Sequence, residues 1–171
     1  MAHIELGTSL PGISGLFQYR PSTAKPLTEL AETLLREPNS LTRGERELIA
    51  TTVSRGNECT FCANSHAAIA AVELGVEDVD DAPRSAKLTA LLEIALQVRE
   101  SGRAVTTKAV EAARAEGASD EEIHDTVLIA AAFCMFNRYV DGLGTAAPEH
   151  ARSYLPIAKA ITEHGYVAAA G

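Results

Sequence analysis

The sequence predicts an all-α protein of one domain, and three observations carry that prediction. Residues 39–82 and 84–147 contain no proline, and such spans let long helices run unbroken. Aromatics make up 5% of the chain and Trp is absent, so Ala, Leu, Ile and Val carry the core. Such a set favours close helix packing over a β-sandwich, which leans on aromatic and β-branched residues. No stretch sustains strand-type alternation. The 171 residues suffice for one real core, and no composition break marks a second domain.

In chain order, Leu27, Leu30, Ala31, Leu34 and Leu35 form the apolar stripe of a first helix, stopped by Glu37-Pro38-Asn39. Thr42 and Glu45 fit a capping box opening a second helix through Leu48, Ile49, Thr52 and Val53. Gly56-Asn57 closes it in the manner of a Gly beyond the last turn. A third helix is expected to start at Asn57 or Glu58 and to end before Gly75. Glu77-Asp78-Val79-Asp80-Asp81 reads as a solvated connector. Leu88, Leu91, Leu92 and Ala95 mark a fourth helix running out at Ser101-Gly102, and Thr106 or Thr107 to Glu116 a short fifth closed by Gly117. Ser119 and Glu122 make a second capping box. It launches the stripe Ile123, Val127, Ala130, Ala131 and Cys134, reaching towards Tyr139 before Asp141-Gly142. After Pro148 a short helical tail with a frayed, Ala-rich end is expected.

Fifteen Lys and Arg against 23 Asp and Glu give a net charge of −8. No Lys/Arg cluster offers the basic face that nucleic-acid binding uses to release phosphate counterions. The opening Met1-Ala2-His3-Ile4-Glu5 lacks a basic region followed by an apolar run, so no secretory signal is expected. No segment stays apolar for the roughly 20 residues that span a bilayer, so no membrane partner is expected either. Three cysteines cannot form a closed set of disulfides, which excludes a small disulfide scaffold. The expectation is a cytoplasmic protein whose thiols are reduced.

The chemistry concentrates in Cys59-Thr60-Phe61-Cys62-Ala63-Asn64-Ser65-His66, preceded by Glu47. Cysteines at i and i+3 of a helix share a face and are near enough for a disulfide, and His66 sits one turn further along it. At a helix start the backbone dipole and free N–H groups favour thiolate over thiol. An imidazole can take the Cys62 proton and a carboxylate can orient that imidazole. A thiolate so placed can attack the O–O bond of a peroxide and become a sulfenic acid. A second cysteine then condenses with it to a disulfide, which an outside dithiol reduces by exchange.

The spacing of Glu47, Cys59, Cys62 and His66 resembles the alkylhydroperoxidase D core of the carboxymuconolactone decarboxylase-like superfamily. The wider text is similar to its uncharacterised peroxidase-related branch: Gly15-Leu16-Phe17, Tyr19-Arg20-Pro21, Ala24-Lys25-Pro26-Leu27, Arg43-Gly44-Glu45-Arg46-Glu47-Leu48-Ile49, Glu122-Ile123-His124-Asp125 and the run Ala132 to Gly142. The likeness runs from about Pro11 to Gly144. It implies an alkylhydroperoxidase D-like helical bundle over residues 1–171, with a core at about 11–144 and a helical tail at 148–171. It also implies a homo-oligomer, as trimer, hexamer or dimer. Cys62 would be the peroxidatic cysteine, Cys59 the resolving one, and Glu47 with His66 a proton relay. The substrate would be a hydroperoxide and the reductant an external dithiol such as a lipoyl group on a partner protein, with no bound cofactor and no metal. The best-studied type carries a histidine immediately before the second cysteine, where this chain has Phe61. The superfamily's lactone decarboxylases lack the cysteine pair.

Plainer readings stand beside these. Cys59 and Cys62 could be buried small hydrophobes, or could bind zinc with His66 and Glu47, making the protein a zinc-binding or redox-sensing module. Glu47 also fits a solvated residue near a helix start. Cys134, between Phe133 and Met135 on an apolar stripe, reads as core. His124 follows the capping Glu122 and reads as structural, with a pocket role open. Asn137, Arg138 and Tyr139 interrupt an apolar helix and would line either the site or an oligomer interface.

Overall fold

A computed structural model describes residues 2–169 and, among them, nine α-helices and no strand. The helices are α1 (Gly12–Tyr19), α2 (Pro21–Arg36), α3 (Arg43–Gly56), α4 (Thr60–Leu74), α5 (Ala86–Glu100), α6 (Thr107–Ala115), α7 (Asp120–Gly142), α8 (Leu155–His164) and α9 (Tyr166–Ala169). The fold class is the one the sequence predicts, an all-α bundle. No described helix is long and apolar enough to cross a membrane.

Both capping boxes form. The Thr42 hydroxyl accepts the Glu45 N–H at the start of α3, and the Ser119 hydroxyl accepts the Glu122 N–H at the start of α7, each glutamate reaching back to the cap. Each box satisfies two N–H groups that the helix leaves unpaired. The three residues between α3 and α4 fold these helices into a hairpin. With α5 and the 23-residue α7, the hairpin encloses a core of Leu48, Ile49, Leu91, Ile94, Ile129 and Phe133, all fully buried. Each such side chain contributes roughly 1.5–3 kcal/mol on leaving water.

Three expectations need correction. The third helix begins at Thr60, not at Asn57 or Glu58: Asn57 ends α3, and Glu58 turns the chain with φ of 59°. The left-handed residue that closes α3 is therefore this glutamate, not Gly56, which is helical. The expected α7 stripe holds at Ile123, Ala130 and Cys134, whereas Val127 is half-buried and Ala131 exposed. The tail is anchored: Ala158 and Ile161 of α8 pack on Ile69 of α4. Ala168 and Ala169 of the Ala-rich end belong to α9, and the remainder of that end lies outside the described residues.

One helix, carrying the short stripe Ile13, Leu16 and Phe17, is not among those expected. α1 starts at Gly12 (φ +54°), where a Cβ would lie 2.2 Å from the Phe61 ring. Only glycine fits that close approach. The acidic connector forms a single 3-10 turn pinned by buried Val79, with Asp78, Asp80 and Asp81 exposed.

Candidate active site

The α3–α4 hairpin brings Glu47, Cys59, Cys62 and His66 into one neighbourhood. Glu47 lies one turn inside α3 and is 1% exposed, which removes the solvated reading of this residue. A buried carboxylate is costly unless hydrogen-bonded, and both its oxygens are occupied. Oε2 lies 2.7 Å from His66 Nδ1 and Oε1 accepts the Tyr166 hydroxyl at 2.5 Å. Nδ1 is the ring nitrogen that faces the carboxylate, which leaves Nε2 on the other side of the ring. The imidazole edge rests on the Phe133 ring, centroids 4.5 Å apart, which fixes its plane.

Cys59 is the N-cap of α4 and Cys62 the third residue of that helix. Both thiols are free and buried. Their environments push them in opposite directions. Cys62 is held below the ordinary thiol range, chiefly because the Cys59 thiol hydrogen-bonds to it, and further by the positive charge of His66 and a hydrogen bond from Asn137. Cys59 is pushed far up by donating that same hydrogen bond, by burial and by the neighbouring Cys62 charge. One sulfur is thus set to ionise and the other to keep its proton.

Asn137, undecided from the sequence between site and interface, belongs to the site. It is 1% exposed, accepts from Asn57 Nδ2 (2.9 Å) and donates to Ser54 Oγ (3.0 Å). These bonds fix the amide that faces Cys62. Tyr139 packs at the rim of the sulfur cluster, while Arg138 is exposed and returns to the Cys134 carbonyl. Cys134 is core, as read. His124 is exposed and pairs with its neighbour Asp125, outside the site. Among the described residues no group of three or more His, Cys, Asp or Glu side chains is arranged to hold a metal.

An apolar cover closes over the sulfurs. Leu16, Phe61, Val140 and Tyr154 pack around them, with Leu6, Ile13 and Leu143 at the edge. The N-terminal segment is tied down by the His3 N–H to the Leu143 carbonyl (2.8 Å) and the Gly12 N–H to the Ala146 carbonyl (2.9 Å). Phe61 faces Tyr154 at 5.9 Å between ring centroids. The side chain that replaces the histidine of the best-studied type is thus part of this cover.

Sequence reasoning missed Tyr166. It sits in an Ala-rich tail with no motif around it, and only the docking of α8 and α9 brings it to Glu47.

The model of the carboxymuconolactone decarboxylase family matches residues 21–100. No curated protein matches the chain. Among solved structures, an uncharacterized peroxidase-related protein from Silicibacter sp. TM1040 is similar at a TM-score of 0.71 and 22% identity, over 85% of this chain and 78% of that one. A second, described as an alkylhydroperoxidase AhpD core and an uncharacterized peroxidase-related protein, comes from Ralstonia eutropha JMP134. It is similar at a TM-score of 0.73 and 26% identity, over 85% of this chain and 80% of that one. The family match takes in the whole α3–α4 hairpin and the structural likeness extends well past it on both sides. The chain is thus similar to the carboxymuconolactone decarboxylase family over residues 21–100 and shares its overall fold with alkylhydroperoxidase D-like structures.

Proposed function

We propose that the protein is a thiol-dependent peroxidase of the alkyl hydroperoxide reductase type. The observation that carries this reading is the placement of two free, buried cysteines at the start of α4 beside the Glu47–His66 hydrogen bond, with Cys62 pushed below and Cys59 above the ordinary thiol range.

The Cys62 thiolate attacks the terminal peroxide oxygen. An S–O bond forms, the O–O bond breaks, and the departing alkoxide takes a proton supplied through His66 and leaves as an alcohol. Cys62 is oxidised to a sulfenic acid while the peroxide is reduced by two electrons. Cys59 then attacks the sulfenic sulfur, an S–S bond forms, and the hydroxyl leaves as water with the Cys59 proton. An external dithiol, of the lipoyl class that the family resemblance implies, returns two electrons by exchange. The apolar cover suits an uncharged organic hydroperoxide. A homo-oligomer would have the outward face of α7 for its contacts, where Leu128 and Met135 are exposed beside a groove of about 340 Å³ that includes Leu27 and Tyr139.

The test follows thiol loss on adding an organic hydroperoxide. The parent should form the Cys59–Cys62 disulfide. Cys59→Ser should stop after one turnover, with a sulfenic acid trapped at Cys62. Cys62→Ser should consume no peroxide, and a Cys62→Ser variant as fast as the parent refutes the assignment.

A further inference from the structure

The chain's C-terminal strap ends in a contact that the cysteine chemistry above does not use. Tyr166 is held in place by Glu32 of α2, whose Oε2 accepts the Tyr166 N–H at 2.6 Å and the Val167 N–H at 3.4 Å. Gly165 turns the chain at φ +90°, and a Cβ there would lie 2.7 Å from that same carboxylate. Arg36 completes the mount. Its Nε lies 3.3 Å from Glu32, one terminal nitrogen 3.4 Å from Glu73, and the other donates to the Thr162 carbonyl at 3.2 Å. Helix α2, through Glu32 and Arg36, thus holds Thr162, Tyr166 and Val167 of the tail, and this seats the Tyr166 phenol in the interior.

That phenol donates to Glu47 Oε1 at 2.5 Å and lies 3.4 Å from His66 Nδ1. Burial and the adjacent Glu47 charge push Tyr166 well above the ordinary phenol range, so it keeps its proton and acts as a donor at every working pH. A carboxylate accepts from the phenol better than a protonated carboxyl does.

We propose that Tyr166 is a positioning residue for the Cys62 nucleophile: by donating to Glu47 Oε1 it holds that carboxylate aimed at His66 Nδ1, and the Glu32 mount seats it. This rests on the reading of Glu47 and His66 as the relay for Cys62. Without the hydroxyl, Glu47 Oε1 becomes a buried acceptor with no partner, and the carboxylate is free to turn away from His66. The other charged groups facing the relay are Glu32 and Arg36 of α2, Arg46 of α3, Glu73 of α4 and Asp141 of α7. None of them is in hydrogen-bond contact with Glu47, so the tyrosine is the donor whose loss the carboxylate must feel.

The experiment measures the rate at which iodoacetamide labels Cys62, by peptide mapping, as a function of pH. This reads thiolate formation without any peroxide turnover. Tyr166→Phe keeps the ring and removes only the donor. Its acidic limb should move up by about half to one pH unit, making labelling on that limb about three to tenfold slower. Glu32→Gln, which weakens the mount through a different residue, should move the limb the same way, and the double variant should go no further than Tyr166→Phe. A Tyr166→Phe profile that superimposes on the parent's, or moves to lower pH, overturns the proposal. So does a Glu32→Gln profile unchanged while Tyr166→Phe shifts, because the mount then has no part in it. Failure of the peroxidase reading would instead appear as a Cys62→Ser variant that still consumes peroxide, whatever the labelling profile does.

Discussion

A thiol's acidity is decided by what donates to its sulfur, and here the largest single contribution to Cys62 comes from its own partner. Cys59→Ala removes that S–H donor and leaves only His66 and Asn137 to favour the thiolate. Because the donor holds Cys62 below the ordinary range, its removal should shift Cys62 labelling to higher pH, by about one unit. Cys59→Ser keeps an O–H in its place and should hold the midpoint within a few tenths of the parent's. Equal midpoints for the alanine and serine variants would show that Cys59 does not set the acidity. At this scale the sequence was largely legible. A CxxC at a helix start followed by a histidine one turn on names both sulfurs and a candidate base, since helical spacing alone puts them together. Glu47 was legible as a candidate but not as buried, because its environment comes from α9, and nothing local in the sequence reports on that.

Helix starts write themselves into sequence because a cap is a contact between residues three apart, and both boxes sit where the text of the chain puts them. The turn between α3 and α4 was not legible, because a glutamate at φ 59° breaks the habit that glycine or asparagine takes that conformation. Neither was α1, whose stripe of Ile13, Leu16 and Phe17 is too short to stand out and whose start answers to the Phe61 ring beside Gly12. Capping also gives a measurable consequence for the site. Thr42→Ala removes the hydroxyl that accepts the Glu45 N–H and should cost about 1 kcal/mol, lowering the thermal midpoint by roughly 2–4 °C in a chain of this size. Glu47 lies a full turn further in, on a stretch where Leu48, Ile49 and Ala50 are buried, so fraying should stop short of it and the Cys62 labelling profile should be unchanged. Calorimetry beside labelling checks both halves. A loss of Cys62 reactivity in Thr42→Ala would mean that the first turn of α3 carries the relay as well as the cap.

Across the whole molecule, the two chain ends converge on the hairpin from different directions: the C-terminal strap delivers a hydroxyl to Glu47, and the N-terminal segment helps to roof the sulfurs. With Cys59 fully buried and Cys62 4% exposed, any reagent reaches Cys62 only when that roof opens locally, so its reactivity is a product of two factors, acidity and access. The two can be separated. A chain lacking residues 2–9 keeps α1 and Gly12, but loses the His3–Leu143 hydrogen bond and the half-buried Leu6 that packs at the edge of the sulfur cluster. Together these are worth about 1–2 kcal/mol of closure, so opening becomes roughly tenfold more frequent. The plateau rate of Cys62 labelling should rise by about that factor, while the pH midpoint stays where Cys59, His66 and Asn137 put it, since none of the deleted residues faces the relay. A raised plateau with an unmoved midpoint identifies the N-terminal segment as the door. An unchanged plateau would place the door in the segment between Leu143 and Tyr154, and a moved midpoint would show that excluding water from the sulfurs, and not only their hydrogen bonds, sets their acidity.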